Sequence, residues 1–158
     1  MSVGKGDAAP DFTLSGVQDG EQKDYSLADF RGQPVVLVFY PGDNTPVCTR
    51  QLNTYTADVD EFAALGAQLL GISPQSVDSH CGFADKQGGF AFPLLADEDK
   101  AVGKAYGILG PVGFYRRSVF VIDGSGTITY AHRAFAGATF RPTDTLVKAV
   151  AECGRGLS

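Results

Sequence analysis

With 158 residues, 44% of them apolar and 20% charged, the chain is long enough for one compact domain with a sizeable core and too apolar for disorder. Its 13 Lys and Arg against 18 Asp and Glu give a formal net charge of −5, without the basic run that nucleic acid or an anionic membrane surface requires. Three cysteines, Cys48, Cys81 and Cys153, with no CxxC among them, exclude a disulfide framework and a zinc site of ordinary ligand spacing.

The first ten residues are polar and Gly/Ala-rich, unlike a secretory leader. The longest apolar run, residues 35–40, is far shorter than the ~20 residues that cross a bilayer. One domain spanning residues 1–158, located in the cytoplasm, is therefore expected, with any disulfide transient and catalytic. Along the chain, two short strands are predicted at residues 11–15 and around residues 25–27. Residues 34–40, Pro-Val-Val-Leu-Val-Phe-Tyr, form an unbroken β-branched apolar run that suits a central strand covered on both faces.

Turn chemistry follows at residues 41–46, with Thr45 placed as a helix N-cap and Pro46 at the first helical position. Cys48, Leu52, Tyr55, Val59 and Phe62 then recur at steps of 4, 3, 4 and 3, which describes one face of a helix. Cys48 falls near the third helical position, on the buried side. A second buried strand is predicted at residues 67–72 and a helix from Ser76, on which Val77, Cys81 and Ala84 share an inward face. Residues 92–95 read as a short strand or loop, and residues 100–106 as a short helix. Residues 118–123 and 127–132 read as a hairpin turning at residues 124–126, before a last helix over residues 146–153. The fold class is α/β, with the thioredoxin-like arrangement of a central mixed β-sheet flanked by helices as its economical form.

The thiolate is the reactive form of cysteine, and the free amides and positive dipole end of a helix's first turn favour it. Cys48 sits there, although a buried structural cysteine would occupy the same helix face. Thr45 has its competing role as an N-cap, and Pro41 as a strand terminator. Pro41-Gly-Asp-Asn-Thr45-Pro-Val-Cys48 also matches PxxxTxxC between a buried strand and an amphipathic helix, and this resembles the active-site motif of the peroxiredoxin family. The resemblance implies that Pro41 shields the thiolate, Thr45 orients the peroxide and Cys48 attacks it. The family's R-[ST]-x-F strand pattern begins at Arg117; Arg116 and Arg117 point to opposite sides of a strand, so the resemblance selects Arg117 as the cation beside the thiolate, with a solvated double-Arg face as the alternative.

Further similarity at residues 9–14, 71–73, 78–80, 92–97 and 120–123 resembles the bacterioferritin-comigratory-protein branch, also called peroxiredoxin Q (PrxQ). Many members of that branch place a second cysteine five residues after the first, where this chain has Asn53. Others place it on the following helix, which implies Cys81, 33 positions on, as the resolving cysteine of an intramolecular disulfide; a small buried hydrophobe is the alternative for that residue. His80 is expected at the surface or as a cap, and Cys153, before Gly154, as a bystander. The resemblance thus implies a hydroperoxide substrate, a thioredoxin-like reductant, no metal or organic cofactor, no nucleic acid or membrane partner, and a monomer or homodimer. A one-cysteine peroxidase recycled by an external thiol and a redox-sensing relay module are the alternatives.

Overall fold

In the computed structural model, residues 3–110, 113–134 and 140–155 are described. They form one seven-stranded sheet from β1 (Thr13–Gln18), β2 (Glu21–Ser26), β3 (Val35–Phe39), β4 (Gln68–Ser73), β5 (Leu94–Ala96), β6 (Ser118–Ile122) and β7 (Ile128–Arg133), in the spatial order β2-β1-β5-β4-β3-β6-β7. Strand β4 runs parallel to both β3 and β5, whereas β3–β6, β6–β7, β1–β2 and β1–β5 are antiparallel. The sheet is mixed and flanked by helices on both faces, in agreement with the expected fold class.

Alternation along the central strands divides the core into two layers. Val36, Val38 and Tyr40 join Val119 and Val121 on one face. That face is covered by α1 (Pro46–Ala57), α2 (Val59–Ala63), α3 (Val77–Lys86) and α5 (Thr143–Arg155), through Cys48, Leu52, Tyr55, Phe62, Phe83, Leu146 and Val150. Val35, Leu37 and Phe39 join Phe120 and Ile122 on the other face, under Val102 of α4 (Ala101–Ala105), Tyr106 and Ile108. Burial on both sides explains why β3 and β6 read as unbroken apolar runs rather than alternating ones.

Two expectations need correction. The opening strands are longer and placed differently: β1 and β2 form a hairpin closed by Asp19 and Gly20, whose φ values of 54° and 77° are both left-handed. That geometry is a two-residue turn of the type an Asp-Gly pair favours. The helix that carries Cys48 does not run on to Phe62. It stops at Asp58 (φ −101°, ψ 13°), whose carboxylate accepts a 2.7 Å hydrogen bond from the Thr143 hydroxyl at the start of α5. The apolar stripe continues in α2, where Phe62 is buried but Val59 only half-buried.

Candidate active site

Strand β3 delivers the chain into the core at Phe39 and Tyr40, and residues 41–45 turn it into α1. Asn44 takes the left-handed conformation (φ 64°), a conformation that Asn tolerates better than most side chains. Pro41 is half-buried at the start of this loop. Thr45 is exposed and occupies the N-cap position, yet its hydroxyl donates to the Gly42 carbonyl at 3.2 Å instead of capping the helix. The N-cap position is as expected; only the capping hydrogen bond is missing, because the hydroxyl is tied to the loop. Pro46 opens the helix, and the first i to i−4 bond is made by the Thr49 amide to the Thr45 carbonyl at 2.9 Å. The amides of Val47 and Cys48 precede that ladder, on the positive end of the helix.

Cys48 is fully buried, packed with Val36, Val38, Tyr40 and Leu52. Arg117 lies two residues before Val119, in register with the strand residues that face this layer, and is only 4% exposed. Its Nη1 donates to Oε1 of Gln51 at 2.6 Å. Arg116 turns the other way, its Nε donating to the Ala134 carbonyl at 3.1 Å. The strand register therefore puts Arg117, not Arg116, in the Cys48 layer. Gln51, one turn beyond Cys48 and fully buried, was missed in the sequence, although an amide within an apolar helix stripe was a readable signal. Its Nε2 in turn reaches the Tyr55 hydroxyl at 3.5 Å, which donates to the Arg141 carbonyl at 2.5 Å. Burial pushes the Tyr55 phenol up to about 12, against the opposing influence of Gln51 and Arg117, so Tyr55 is a donor at neutral pH.

Helix α3 departs most from expectation. Its N-cap Ser76 accepts from the Ser79 amide at 3.1 Å, but the inward ridge is His80 and Phe83, both fully buried. Val77, Cys81 and Ala84 are half-buried along its flank. The apolar spacing misled because a polar residue, His80, occupies the inward position and is satisfied there by Asp43 and by the Leu95 carbonyl. Cys81 is a free thiol on the helix beside α1, to which α3 is linked by an Asn53–Gln87 hydrogen bond of 2.9 Å. Cys153 is buried on α5, distant in sequence from the loop at residues 41–45; burial, and then Asp123, push its thiol up against a hydrogen bond from Thr129. Residues 109–115 form an apolar segment between α4 and β6 that the sequence alone leaves open as a border of the active site, a dimer contact or a covered loop; Pro111 and Val112 lie outside the described residues. Leu109 bridges to Tyr115, and Phe114 projects to solvent under the Lys100 ammonium.

The sequence pattern of the AhpC/TSA family matches residues 5–131. Peroxiredoxin-2 of Mus musculus is 38% identical over 130 residues, which cover 78% of this chain and 66% of that protein. A chloroplastic peroxiredoxin Q of Oryza sativa subsp. japonica is 37% identical over 134 residues, covering 82% of this chain and 59% of its own length. The chain thus spans about two thirds or less of these two relatives. Among solved structures, reduced 2-Cys peroxiredoxin of Plasmodium vivax superposes with a TM-score of 0.91 at 25% identity, over 98% of this chain and 84% of that one.

Proposed function

The chain belongs to the AhpC/TSA peroxiredoxin family, and from that premise we propose that it is a thiol-dependent peroxidase of the PrxQ-like branch with Cys48 as its nucleophile. The observation that carries the assignment is the burial of Cys48 at the third position of α1, in the layer that also encloses the Arg117–Gln51 pair. The Cys48 thiolate attacks the terminal oxygen of a hydroperoxide and the O–O bond breaks. Cys48 becomes a sulfenic acid, and the departing alkoxide or hydroxide takes up one proton to leave as alcohol or water. Arg117 stabilises the negative charge that moves onto the departing oxygen. The Thr45 hydroxyl exchanges the Gly42 carbonyl for the peroxide, and Pro41 shields the sulfur from water.

Cys81 then condenses with the sulfenic acid, forming a disulfide and releasing water, and a thioredoxin-type dithiol restores both thiols by exchange. The electrons come from thiols throughout, so the scheme needs no metal or organic cofactor. A disulfide requires Cα atoms within ~7 Å, and Cys81 sits off the inward ridge of α3, so local rearrangement of the loop precedes bond formation. The same placement favours the one-cysteine scheme, in which an external thiol meets the sulfenic acid, as the second reading. A cytoplasmic monomer or homodimer completes the proposal; among the described residues no helix is long and apolar enough to cross a membrane.

The test is turnover of hydrogen peroxide with thioredoxin, its reductase and NADPH, together with non-reducing peptide mapping after one equivalent of peroxide. Many turnovers and a Cys48–Cys81 linked peptide are expected. Stoichiometric consumption would instead mark a redox relay. Turnover without that peptide would transfer the second step to an external thiol.

A further inference from the structure

A buried polar cluster beside the loop takes no part in the chemistry above. The Asp43 carboxylate, five residues before Cys48, is 7% exposed and accepts three side-chain hydrogen bonds. Tyr40 Oη donates to its Oδ1 at 2.8 Å, Ser79 Oγ to its Oδ2 at 2.8 Å, and His80 Nδ1 to the same Oδ2 at 2.7 Å. The His80 Nε2 donates to the Leu95 carbonyl of β5 at 2.9 Å; a carbonyl and a carboxylate both only accept, so both ring nitrogens carry hydrogen in this arrangement and His80 meets Asp43 as an ion pair. Gln75 Oε1 receives the Asp43 amide. Burial, and then the adjacent carboxylate, hold the Tyr40 phenol well above its ordinary range, which keeps it a donor. Three parts of the fold thereby meet on one side chain of the loop: Tyr40, just past the end of β3, Ser79 and His80 of α3, and β5 behind His80. Separating loop from helix would leave the two members of a buried, hydrogen-bonded ion pair without partners, which is costly.

We propose that His80 and Ser79, acting through Asp43, are positioning residues: the clasp holds the Cys48 loop against α3 in its peroxide-reducing form, and its release frees oxidised Cys48 for the disulfide step. The second half rests on the proposed role of Cys81. The step it gates is balanced as written, sulfenic acid plus thiol giving disulfide plus water, with no further oxidant.

Ser79→Ala removes one donor and leaves the His80–Asp43 pair in place; Ser79→Thr restores the hydroxyl; Asp43→Asn weakens the whole clasp. Three quantities are read in the full chain: the rate of Cys48 oxidation, the rate of disulfide formation after one equivalent of hydrogen peroxide, and amide exchange of residues 41–48 in the reduced protein. In Ser79→Ala, exchange and disulfide formation should rise roughly three- to tenfold, the scale of one net hydrogen bond, while Cys48 oxidation slows. Asp43→Asn should move all three further in the same directions, and Ser79→Thr should return them to wild type. General destabilisation would lower both rates together and would overturn the proposal, as would wild-type exchange and wild-type rates in Ser79→Ala and Asp43→Asn. If wild type forms no Cys48–Cys81 peptide, the resolving role of Cys81 falls; the clasp then stands or falls on Cys48 oxidation and loop exchange, neither of which involves Cys81.

Discussion

Each face of the sheet buries one aspartate, and the two are held differently. Asp97, on the face of Phe39 and Phe120, accepts the backbone amides of Val102 and Gly103 at 3.1 and 2.9 Å and the Tyr115 hydroxyl. It fastens the start of α4 to a layer of interlocked rings, where Phe39, Tyr106 and Phe120 centroids lie 5.2–5.7 Å apart. Asp43, on the Cys48 face, is held only through side chains that belong to other elements, apart from its own backbone contact with Gln75. A carboxylate bonded to local backbone stabilises one fixed structure. One bonded across elements by side chains links parts that are able to separate. The aromatic layer is thus held by local contacts, and the Cys48 layer concentrates buried polar groups (Arg117, Gln51, His80, Asp43) around the proposed nucleophile and the loop that carries it.

The comparison breaks most visibly at Cys48, the proposed nucleophile. Cys48→Ser should abolish peroxide consumption while leaving the urea midpoint near wild type, since the change is a nearly isosteric one within the core. Substantial residual activity would remove the functional layer from this face altogether. Next in size is Arg117→Met, expected to slow Cys48 oxidation by ~10²–10³, the scale of losing one preorganised donor. Arg116→Met, on the opposite register, should change that rate little. Stopped-flow or competition kinetics on both variants measures that contrast; equal losses in the two would sink the proposed role of Arg117.

The aromatic layer should respond in the opposite manner. Phe120→Ala is expected to cost about 3–5 kcal/mol of stability, measured by denaturant unfolding, with the peroxidase rate per folded molecule unchanged. A selective loss of rate there would mean that the two layers are coupled. The smallest effect contrasts two cysteines within one layer, Cys48 at a helix start and Cys153 near a helix end. Because burial raises the Cys153 thiol, the folded chain keeps that proton at a pH where the unfolded chain loses it. The resulting stability is complete below the ordinary thiol range of ~8.5 and is lost as pH rises through the folded value. Cys153→Ser should flatten that alkaline decline in the urea midpoint and leave turnover at wild type.

The elements around Cys48 were legible in the sequence because each is written in neighbouring residues. The β-branched run of β3, the loop at residues 41–45, Pro46 at the helix start and the position of Cys48 all follow from spacing and local conformational preference. Asp19-Gly20 was equally local, and the hairpin it closes could have been read from it. Tertiary structure alone decided the rest. The carboxylate at the end of α1, Asp58, is bonded to Thr143 across 85 positions, Arg117 is bonded to a Gln51 side chain 66 positions away, and the inward-facing His80 is met by Asp43 across 37 positions. Periodicity assigns apolar residues to the core and polar ones to water. A buried polar side chain departs from that rule only when its partner arrives with the packed sheet, so the chemistry-bearing residues beyond the motif became readable only in the fold.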